Sequence, residues 1–247
     1  MAVALIPAAG FGTRLGLLPC SKELVPVGGR PVGAYLMDHF AAAGLQRAHW
    51  LIRREKQDIV RAFGATHDGL PLAYHALDAT PGTPYSLNAA YPFVRGEVCA
   101  LGFPDILLPQ GDAFARLLEY RDRAQCDVVM GLYPTAQPQL VDVVRAGADD
   151  GVEEILIKPQ ASVQDPLTWS VAVWGPSFTE FLHERLGSDE AVGREMYVGD
   201  VFLAAMAAGL SVRAIQVSDA PSVDVGTPAG LAQARIIAGH KGGNDAG

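Results

Sequence analysis

Short apolar runs alternate with helix-like segments over the first half of the 247-residue chain. The runs have the length of buried strands, and the segments between them repeat apolar residues every three or four positions. The predicted strands are residues 3–7, 48–52, 71–77, 97–103 and 126–134, and the predicted helices lie near 33–43, 55–63, 85–92 and 111–123. This alternation predicts an α/β fold with a mostly parallel central sheet and helices on both faces.

The alternation ends after about residue 135. Residues 139–159 predict two strands around a glycine turn, and residues 168–176 predict a further strand. Helices near 177–186 and 198–208, a strand at 211–217 and a last helix from about Pro228 to Ala238 complete the pattern. Because no repeat and no long linker interrupts it, we expect one Rossmann-like domain over residues 1–238 and a disordered tail at 239–247.

Composition excludes several classes of protein. No apolar run approaches the roughly 18 residues of a membrane span, and no signal peptide is evident, so we expect a cytoplasmic protein without a membrane partner. The formal net charge of −8 disfavours nucleic acid as the main partner. Cys20, Cys99 and Cys126 are odd in number and widely spaced, which argues against a disulfide framework and against a zinc site.

A glycine-rich turn follows the first predicted strand, in the stretch AAGFGTRLGLLPCSKELVPVGGRP at residues 8–31. The order strand, glycine loop, helix gathers backbone N–H groups around an anion, although a tight turn is the simpler reading. The P-loop pattern is absent. The dinucleotide fingerprint fits Gly10 and Gly12 but meets Leu15 at its third glycine position, so neither of these phosphate motifs is present.

The same stretch resembles the sugar-1-phosphate nucleotidyltransferases, whose signature is Gly-x-Gly-Thr-Arg-Leu followed by Lys-x-Leu-x-Pro-Val. Here the first part is GFGTRL from Gly10, and the second is KELVPV from Lys22. Four further segments match in the expected order: PGTPYSLNAA at 81–90, LGFPDILL at 101–108, IKP at 157–159 and SVDVGTPAGLAQA at 222–234. The resemblance covers residues 3 to about 236, looks nearest to the glucose-1-phosphate thymidylyltransferase branch, and implies a GT-A-like nucleotidyltransferase domain.

The resemblance implies a reaction and a site. A sugar 1-phosphate would attack the α-phosphorus of a nucleoside triphosphate in line and expel pyrophosphate, with Mg²⁺ as cofactor. It implies that Arg14 and Lys22 are catalytic cations and that Asp105 and Asp224 bind the metal. Lys158 and Trp169 are expected to contact the acceptor. The residues expected to bind the nucleotide are Ala9, Gly10, Gly12, Thr13, Arg14, Gly82 and Thr83. A homo-oligomer is compatible with the resemblance.

Each of these charged residues also has an ordinary structural explanation. Asp105 follows a proline at a strand end and could be a turn residue, and Asp224 could cap a nearby turn. Lys158 could extend its ammonium to water from an apolar strand. Arg14 and Lys22 could be solvated surface charges.

The chain departs from the family pattern mainly where the acceptor would bind. Ile157 stands where a glutamate often precedes Lys-Pro, Asp142 where a glycine is usual, and Trp169 where a small polar residue is usual. The loop before Lys22 is about two residues short, and the glutamine that often reads a pyrimidine is not identifiable near Thr80 to Gly82. The sugar and the base therefore stay open.

Three alternatives to a sugar-1-phosphate nucleotidyltransferase remain. The main one is a cytidylyltransferase acting on another phosphorylated acceptor, such as an alcohol phosphate or a modified sugar phosphate. A GT-A glycosyltransferase would be expected to carry Asp-x-Asp where Phe103-Pro104-Asp105 stands. A non-catalytic nucleotide sensor would tolerate loss of the charged residues, and none is lost. At this length we expect no second, β-helix acyltransferase domain.

Overall fold

The computed structural model describes residues 1–188 and 196–241. Its longer strands match the predicted apolar runs: β1 (Ala2–Ala8), β4 (Ala48–Arg53), β6 (Leu70–Leu77), β7 (Val98–Gly102), β9 (Val128–Pro134), β10 (Asp142–Ala146), β11 (Val152–Ile157), β12 (Leu167–Trp174) and β13 (Val212–Gln216). The short strands are β2 (Pro26–Val27), β3 (Arg30–Pro31), β5 (Thr66–His67), β8 (Ile106–Leu107) and β14 (Val223–Asp224).

The helices also lie close to their predicted positions. They are α1 (Val32–Ala42), α2 (Gln57–Phe63), α3 (Thr83–Asn88), α4 (Tyr91–Val94), α5 (Ala113–Ala124), α6 (Pro176–Ser188), α7 (Val198–Ala207) and α8 (Pro228–Lys241). Among the described residues, no helix is long and apolar enough to cross a membrane.

Ten strands form one mixed sheet. Its main path runs β13-β9-β12-β7-β1-β4-β6-β5, and the β10–β11 pair joins it at the start of β12. Strands β13, β9, β7, β1, β4 and β6 point the same way, because β9 and β7 both lie antiparallel to the β12 strand between them. The prediction of a mostly parallel sheet is confirmed, with β12 inserted against the common direction.

The centre of the sheet is buried on both faces. Successive residues of β1 point to opposite sides, so Val3 and Leu5 join one apolar core while Ala4 and Ile6 join the other. Helices α3, α4, α6 and α7 cover the first face, and α1, α2 and α5 cover the second. The prediction of helices on both faces is therefore confirmed.

The carboxyl ends of the parallel strands meet along one edge of the sheet. β1 ends at Ala8, β4 at Arg53 and β7 at Gly102. The antiparallel strand β12 begins at the same edge, with Leu167. In open α/β sheets ligands bind at this edge, and the loops that carry the expected site residues begin here.

Two 3₁₀ turns and the β2–β3 hairpin lie between the glycine loop and α1, in residues 13–31. Two local predictions need correction. The helix predicted at 85–92 is two short helices, α3 and α4. Helix α8 begins at Pro228 as expected but continues to Lys241, so the first residues of the predicted tail are helical, and residues 242–247 lie outside the described ranges.

Candidate active site

A two-stranded ladder places two aspartates side by side. β8 pairs antiparallel with β14, so that Asp224 lies opposite Ile106. The backbone N–H of Val225 donates to the carbonyl of Asp105 at 2.8 Å. Backbone hydrogen bonds therefore fix Asp105, just beyond the end of β7, next to an aspartate that is far away in the sequence.

Gly226 shows how closely the charged groups approach. A Cβ atom at this position would lie 2.9 Å from Asp224 Oδ1, 3.1 Å from Asp105 Oδ2 and 3.2 Å from Arg14 Nη2. Three charged side chains thus surround one point on the backbone. A larger residue would occupy the space into which they converge, which explains the glycine of the Asp-x-Gly-Thr-Pro segment.

The two expected cations pair with the two expected metal ligands. The Lys22 ammonium bonds to Asp105 Oδ2, and Arg14 Nη1 lies 2.9 Å from Asp224 Oδ2. The Lys22 side chain is 16% exposed and that of Arg14 is 61% exposed. The structure therefore brings all four residues together as two ion pairs, one buried and one open to solvent.

The buried pair stays charged at neutral pH. Burial alone would raise the pKa of Asp105, but the ammonium of Lys22 outweighs it and lowers that pKa. Burial alone would lower the pKa of Lys22, but the carboxylates of Asp105 and Glu23 outweigh it and raise that pKa. Each group favours the ionised form of the other.

A second buried ion pair was missed by the sequence analysis. Lys56 Nζ lies 2.8 and 3.0 Å from the two carboxylate oxygens of Glu23 and 2.8 Å from the carbonyl of Ala8. Glu23 is fully buried and Lys56 is 8% exposed. The pair joins the end of β1 to the segment that carries Lys22. The scarcity of lysine could have drawn attention to this position, since Lys56 is one of only four lysines in the chain.

The glycine loop packs against the buried lysine. Gly12 has φ +70°, and a Cβ atom there would lie 3.3 Å from Lys22 Cδ. Ala9 is half-buried and Gly10 is exposed, while Thr13 begins a 3₁₀ turn that ends at Leu15. The predicted nucleotide loop thus lies directly beside the Lys22–Asp105 pair.

The second predicted nucleotide loop, at Gly82 and Thr83, is held by a close backbone contact. Gly82 pairs with Met196 in a parallel bridge, and a Cβ atom on Gly82 would lie 2.3 Å from the Met196 carbonyl oxygen. Thr83 begins α3 directly after it. The Thr80 hydroxyl lies 2.8 Å from the Ser86 hydroxyl across the same turn. Only glycine fits at position 82.

Lys158 lies on the face of an aromatic ring. Its ammonium is 3.9 Å from the centroid of the Tyr197 ring, which is a cation–π contact. The backbone of Lys158 has φ +46°, in the left-handed region that few residues other than glycine adopt. The lysine is half-buried, and Tyr197, which the sequence analysis did not single out, contacts its charged end.

Trp169 is largely a core residue. It is 8% exposed, and its ring packs at 5.2 Å from Phe202 and 5.7 Å from Phe103. Its indole N–H points to Asp142 Oδ2 at 3.4 Å. An acceptor-binding role for Trp169 remains a prediction.

Three of the departures from the family pattern, at Asp142, Ile157 and Trp169, lie together. Asp142 is opposite Ile157 in the β10–β11 ladder and bonded to Trp169 across the sheet. A Cβ atom on Gly199 would lie 2.5 Å from Asp142 Oδ2 and 2.6 Å from Ile157 Cδ1. Burial raises the pKa of Asp142, against the opposing effects of the Trp169 hydrogen bond and the Lys158 charge.

The carboxylate end of the site, where Asp105 and Asp224 meet, has donor atoms that suit a magnesium ion. Asp105 and Asp224 supply the hard oxygen ligands that Mg²⁺ prefers, and in phosphoryl-transfer sites phosphate and water complete the shell. A different group of two aspartates and one histidine lies elsewhere in the described residues, at Asp38, His67 and Asp68.

Comparison with known proteins identifies the domain. The sequence model of the MobA-like NTP transferase domain matches residues 4–185. The bifunctional protein GlmU of Rhizobium etli (strain CIAT 652) is 28% identical over 240 residues, covering 90% of this chain and 49% of the relative. GlmU of Pseudomonas paraeruginosa (strain PA7) is 31% identical over 222 residues, covering 88% and 47%. The chain thus spans about half the length of these relatives.

Solved structures share the fold. A Bacillus anthracis protein assigned as a glucose-1-phosphate thymidylyltransferase, in complex with sucrose, has a TM-score of 0.85 at 18% identity, covering 96% of this chain and 95% of the other. The UTP-bound UGPase of Acinetobacter baumannii has a TM-score of 0.83 at 16% identity, covering 98% and 94%. The nucleotidyltransferase resemblance read from the sequence is confirmed, and the chain belongs to the family of MobA-like NTP transferase domains.

Proposed function

We propose that the protein transfers a nucleotidyl group from a nucleoside triphosphate to a sugar 1-phosphate and releases pyrophosphate. The observation that carries this proposal is the meeting of Arg14, Lys22, Asp105 and Asp224 at one point beside the glycine loop. A reaction between two anions needs converging cations and a metal-binding acid pair, and this arrangement supplies both.

The bonds that change are few. An oxygen of the acceptor phosphate forms a bond to the α-phosphorus, and the bond from that phosphorus to the oxygen bridging the β-phosphate breaks. Pyrophosphate leaves with the electron pair. The attacking oxygen is anionic near pH 7, so no general base is needed, and the protein contributes position and charge.

The ion pairs keep the cations in reach of the reacting phosphates. Mg²⁺ held by Asp105 and Asp224 would supply positive charge beside the triphosphate. Lys22 and Arg14 each bond to one of these carboxylates, so both lie next to any phosphate that binds there. The planar fork of Arg14 suits phosphate oxygens, and Lys22 acts as a buried point charge.

The remaining residues divide between the two substrates. The backbone of residues 9–13 and the Gly82–Thr83 turn would line the nucleotide. Lys158 would hold the acceptor phosphate, and the Tyr197 ring keeps its ammonium at a fixed place. Phe103 connects the region of Trp169 with the metal-binding acids, because its ring contacts Trp169 while Asp105 follows two residues later.

A second acceptor class is favoured by one observation. Asp142, Ile157 and Trp169 all differ from the residues usual in sugar-1-phosphate enzymes, and they lie in one cluster. A carboxylate and an indole N–H in this position would suit a phosphorylated acceptor other than a simple hexose. A cytidylyltransferase acting on another phosphorylated alcohol or modified sugar is therefore the second candidate.

The test is a pyrophosphate-release screen. Each nucleoside triphosphate is crossed with a panel of sugar 1-phosphates and of other alcohol phosphates, with Mg²⁺ and with excess chelator. We expect release for at least one pair, dependent on Mg²⁺ and strongly reduced in D105N. No release for any pair would overturn the enzymatic proposal, whereas release with alcohol phosphates alone would favour the second candidate.

A further inference from the structure

Arg53 stands between the two predicted nucleotide loops. It is the last residue of β4, and β4 pairs with β1 on one side and β6 on the other. The glycine loop follows β1, and the segment that leads to Gly82 follows β6. A nucleotide lying across both loops therefore passes over the end of β4.

The guanidinium of Arg53 is held in place but is not fully bonded. Its Cζ lies 3.7 Å from the centroid of the Phe11 ring, in the glycine loop. Its Nε donates to Glu55 Oε2 at 3.1 Å, and the side chain is only 15% exposed. Its Nη1 is buried and has no hydrogen-bond partner among the described residues.

A buried charged donor without an acceptor is costly, and native structures contain few of them. At the edge of a binding site, the simplest acceptor is a group on the ligand. Phe11, which supports the guanidinium, is itself 72% exposed at the tip of the loop. The aromatic contact holds the guanidinium beside the glycine loop before any ligand binds, which lowers the entropy lost on binding.

The order of the strands indicates which part of the nucleotide Arg53 meets. Asp105 follows β7, and the strands run β7-β1-β4-β6. The α-phosphate belongs beside Asp105 and Lys22, on the β7 side of the glycine loop. The pyrophosphoryl group lies on one side of the α-phosphate, and the ribose and base lie on the other. Arg14, which is proposed to bind the triphosphate, pairs with Asp224 beside Asp105, so the pyrophosphoryl group belongs on that side and the base extends towards β4 and β6. Arg53 is thus placed at the base rather than at the reacting phosphate.

We propose that Arg53 selects the nucleobase by donating Nη1–H to an exocyclic carbonyl oxygen on the base edge. This inference rests on the proposed function. Uracil, thymine, cytosine and guanine carry such an oxygen and adenine does not, so the site favours the first four over adenine. It also supplies a base-reading donor in a chain where no pyrimidine-reading glutamine is identifiable near Thr80 to Gly82.

The test compares base preference with phosphate affinity. Dissociation constants for ATP, CTP, GTP, UTP, dTTP and inorganic tripolyphosphate are measured by calorimetry for the wild type, R53M and R53K. The second variant keeps the charge but not the planar fork, and guards against a loss of folding in the first. R54M is the matched control, because Arg54 is the next residue and forms an exposed ion pair with Asp78 at 2.6 Å.

We expect the wild type to bind ATP most weakly. R53M should bind the preferred nucleotide at least about tenfold more weakly, with the spread among nucleotides reduced and tripolyphosphate affinity unchanged. R53K should lose part of the same preference, and R54M should match the wild type.

Several results would overturn the inference. ATP as the preferred nucleotide, or no preference among bases, would leave Arg53 nothing to select. An equal loss for all nucleotides and for tripolyphosphate would assign Arg53 to the phosphates. Unchanged affinities in both Arg53 variants would make the guanidinium a packing partner of Phe11. If the wild type binds no nucleotide, the proposed function itself fails, and this inference fails with it.

Discussion

The carboxylate end of the site and its proposed acceptor end are held by different kinds of contact. At the carboxylate end, a backbone ladder between β8 and β14 fixes Asp105 beside Asp224, and each acid bonds to one cation. At the acceptor end, side chains hold one another, through the Trp169–Asp142 hydrogen bond and the contact of Lys158 with the Tyr197 ring.

This difference explains why the two ends agree unequally with the family pattern. Backbone pairing holds both aspartates in register, and neither member of the Lys22–Asp105 pair can be replaced alone without leaving a buried charge unpaired. Contacts between side chains can be rebuilt in groups. Asp142, Ile157 and Trp169 have the character of such a group, since each contacts or faces another.

The largest expected effect lies at the carboxylate end. D105N keeps the shape of the side chain but removes its charge, so turnover should fall by about a hundredfold or more, because a metal ligand contributes several kcal/mol to phosphoryl transfer. Pyrophosphate release is measured over a range of Mg²⁺ concentrations, with a thermal melt to show that the variant folds. D78N, at an exposed acid paired with Arg54, is the control. Near-normal turnover of D105N at saturating Mg²⁺ would contradict the metal assignment.

The next largest effect should change binding of the acceptor without changing binding of the nucleotide. K158A removes a charge-assisted hydrogen bond to the acceptor phosphate, worth roughly 1.5–3 kcal/mol, and should raise the acceptor KM by about 10- to 150-fold. Nucleotide Kd should stay within about twofold.

R145A is the matched control for K158A, because Arg145 lies in the same β10–β11 hairpin and is exposed in an ion pair with Glu154. If acceptor KM and nucleotide Kd of K158A both remain at wild-type values, Lys158 serves only the packing of Tyr197.

A smaller effect is expected at the exposed cation of the carboxylate end. R14A should weaken binding of the nucleoside triphosphate by about five- to tenfold, because Arg14 is well exposed and water screens its charge. Acceptor KM should change little. Calorimetry with the triphosphate and the monophosphate of the same base tests this, and equal losses for both would place Arg14 away from the β- and γ-phosphates.

The smallest expected effect is on how the stability of the fold changes with pH. The pKa of Asp105 is lowered in the folded protein, so ionisation of this carboxyl group stabilises the fold. The contribution is complete above pH 3.8, the ordinary pKa of the group, and it is lost as pH falls through the folded pKa. The raised pKa of Asp142 acts oppositely, since its ionisation favours the unfolded chain as pH rises from 3.8 through the folded pKa.

The stability of each variant relative to the wild type should therefore change in opposite directions. D142N should gain stability over the wild type as pH rises from about 4, whereas D105N should lose it as pH rises from acid values towards 4. Urea unfolding at several pH values measures both. Parallel curves for the two variants would show that the two carboxyl groups have similar surroundings.

Much of the fold followed from the sequence because its cause is local. Strands such as β1 and β4 are continuous apolar runs between glycine or polar turns, and α5 repeats its apolar residues at helical spacing. The short strands β2, β3, β5, β8 and β14 were not predicted, because two residues carry no periodicity. Their pairing depends on which distant segment lies alongside.

The candidate site residues were recognised in part for a similar reason, and their roles stay predictions. The sequence by itself determined the glycine loop, the order of the motifs and the identity of Arg14, Lys22, Asp105 and Asp224, because these are short signatures with a fixed spacing. It also marked Asp142, Ile157 and Trp169 as departures, without indicating that they lie together.

Only the tertiary structure decided which groups meet. It buried Glu23 against Lys56, placed the Lys158 ammonium on the Tyr197 ring and left one nitrogen of Arg53 without a partner. The physical reason is that a charge finds its partner through the packing of strands and loops that are far apart in the chain. A local pattern of residues does not determine which distant segments lie side by side, whereas the fold does.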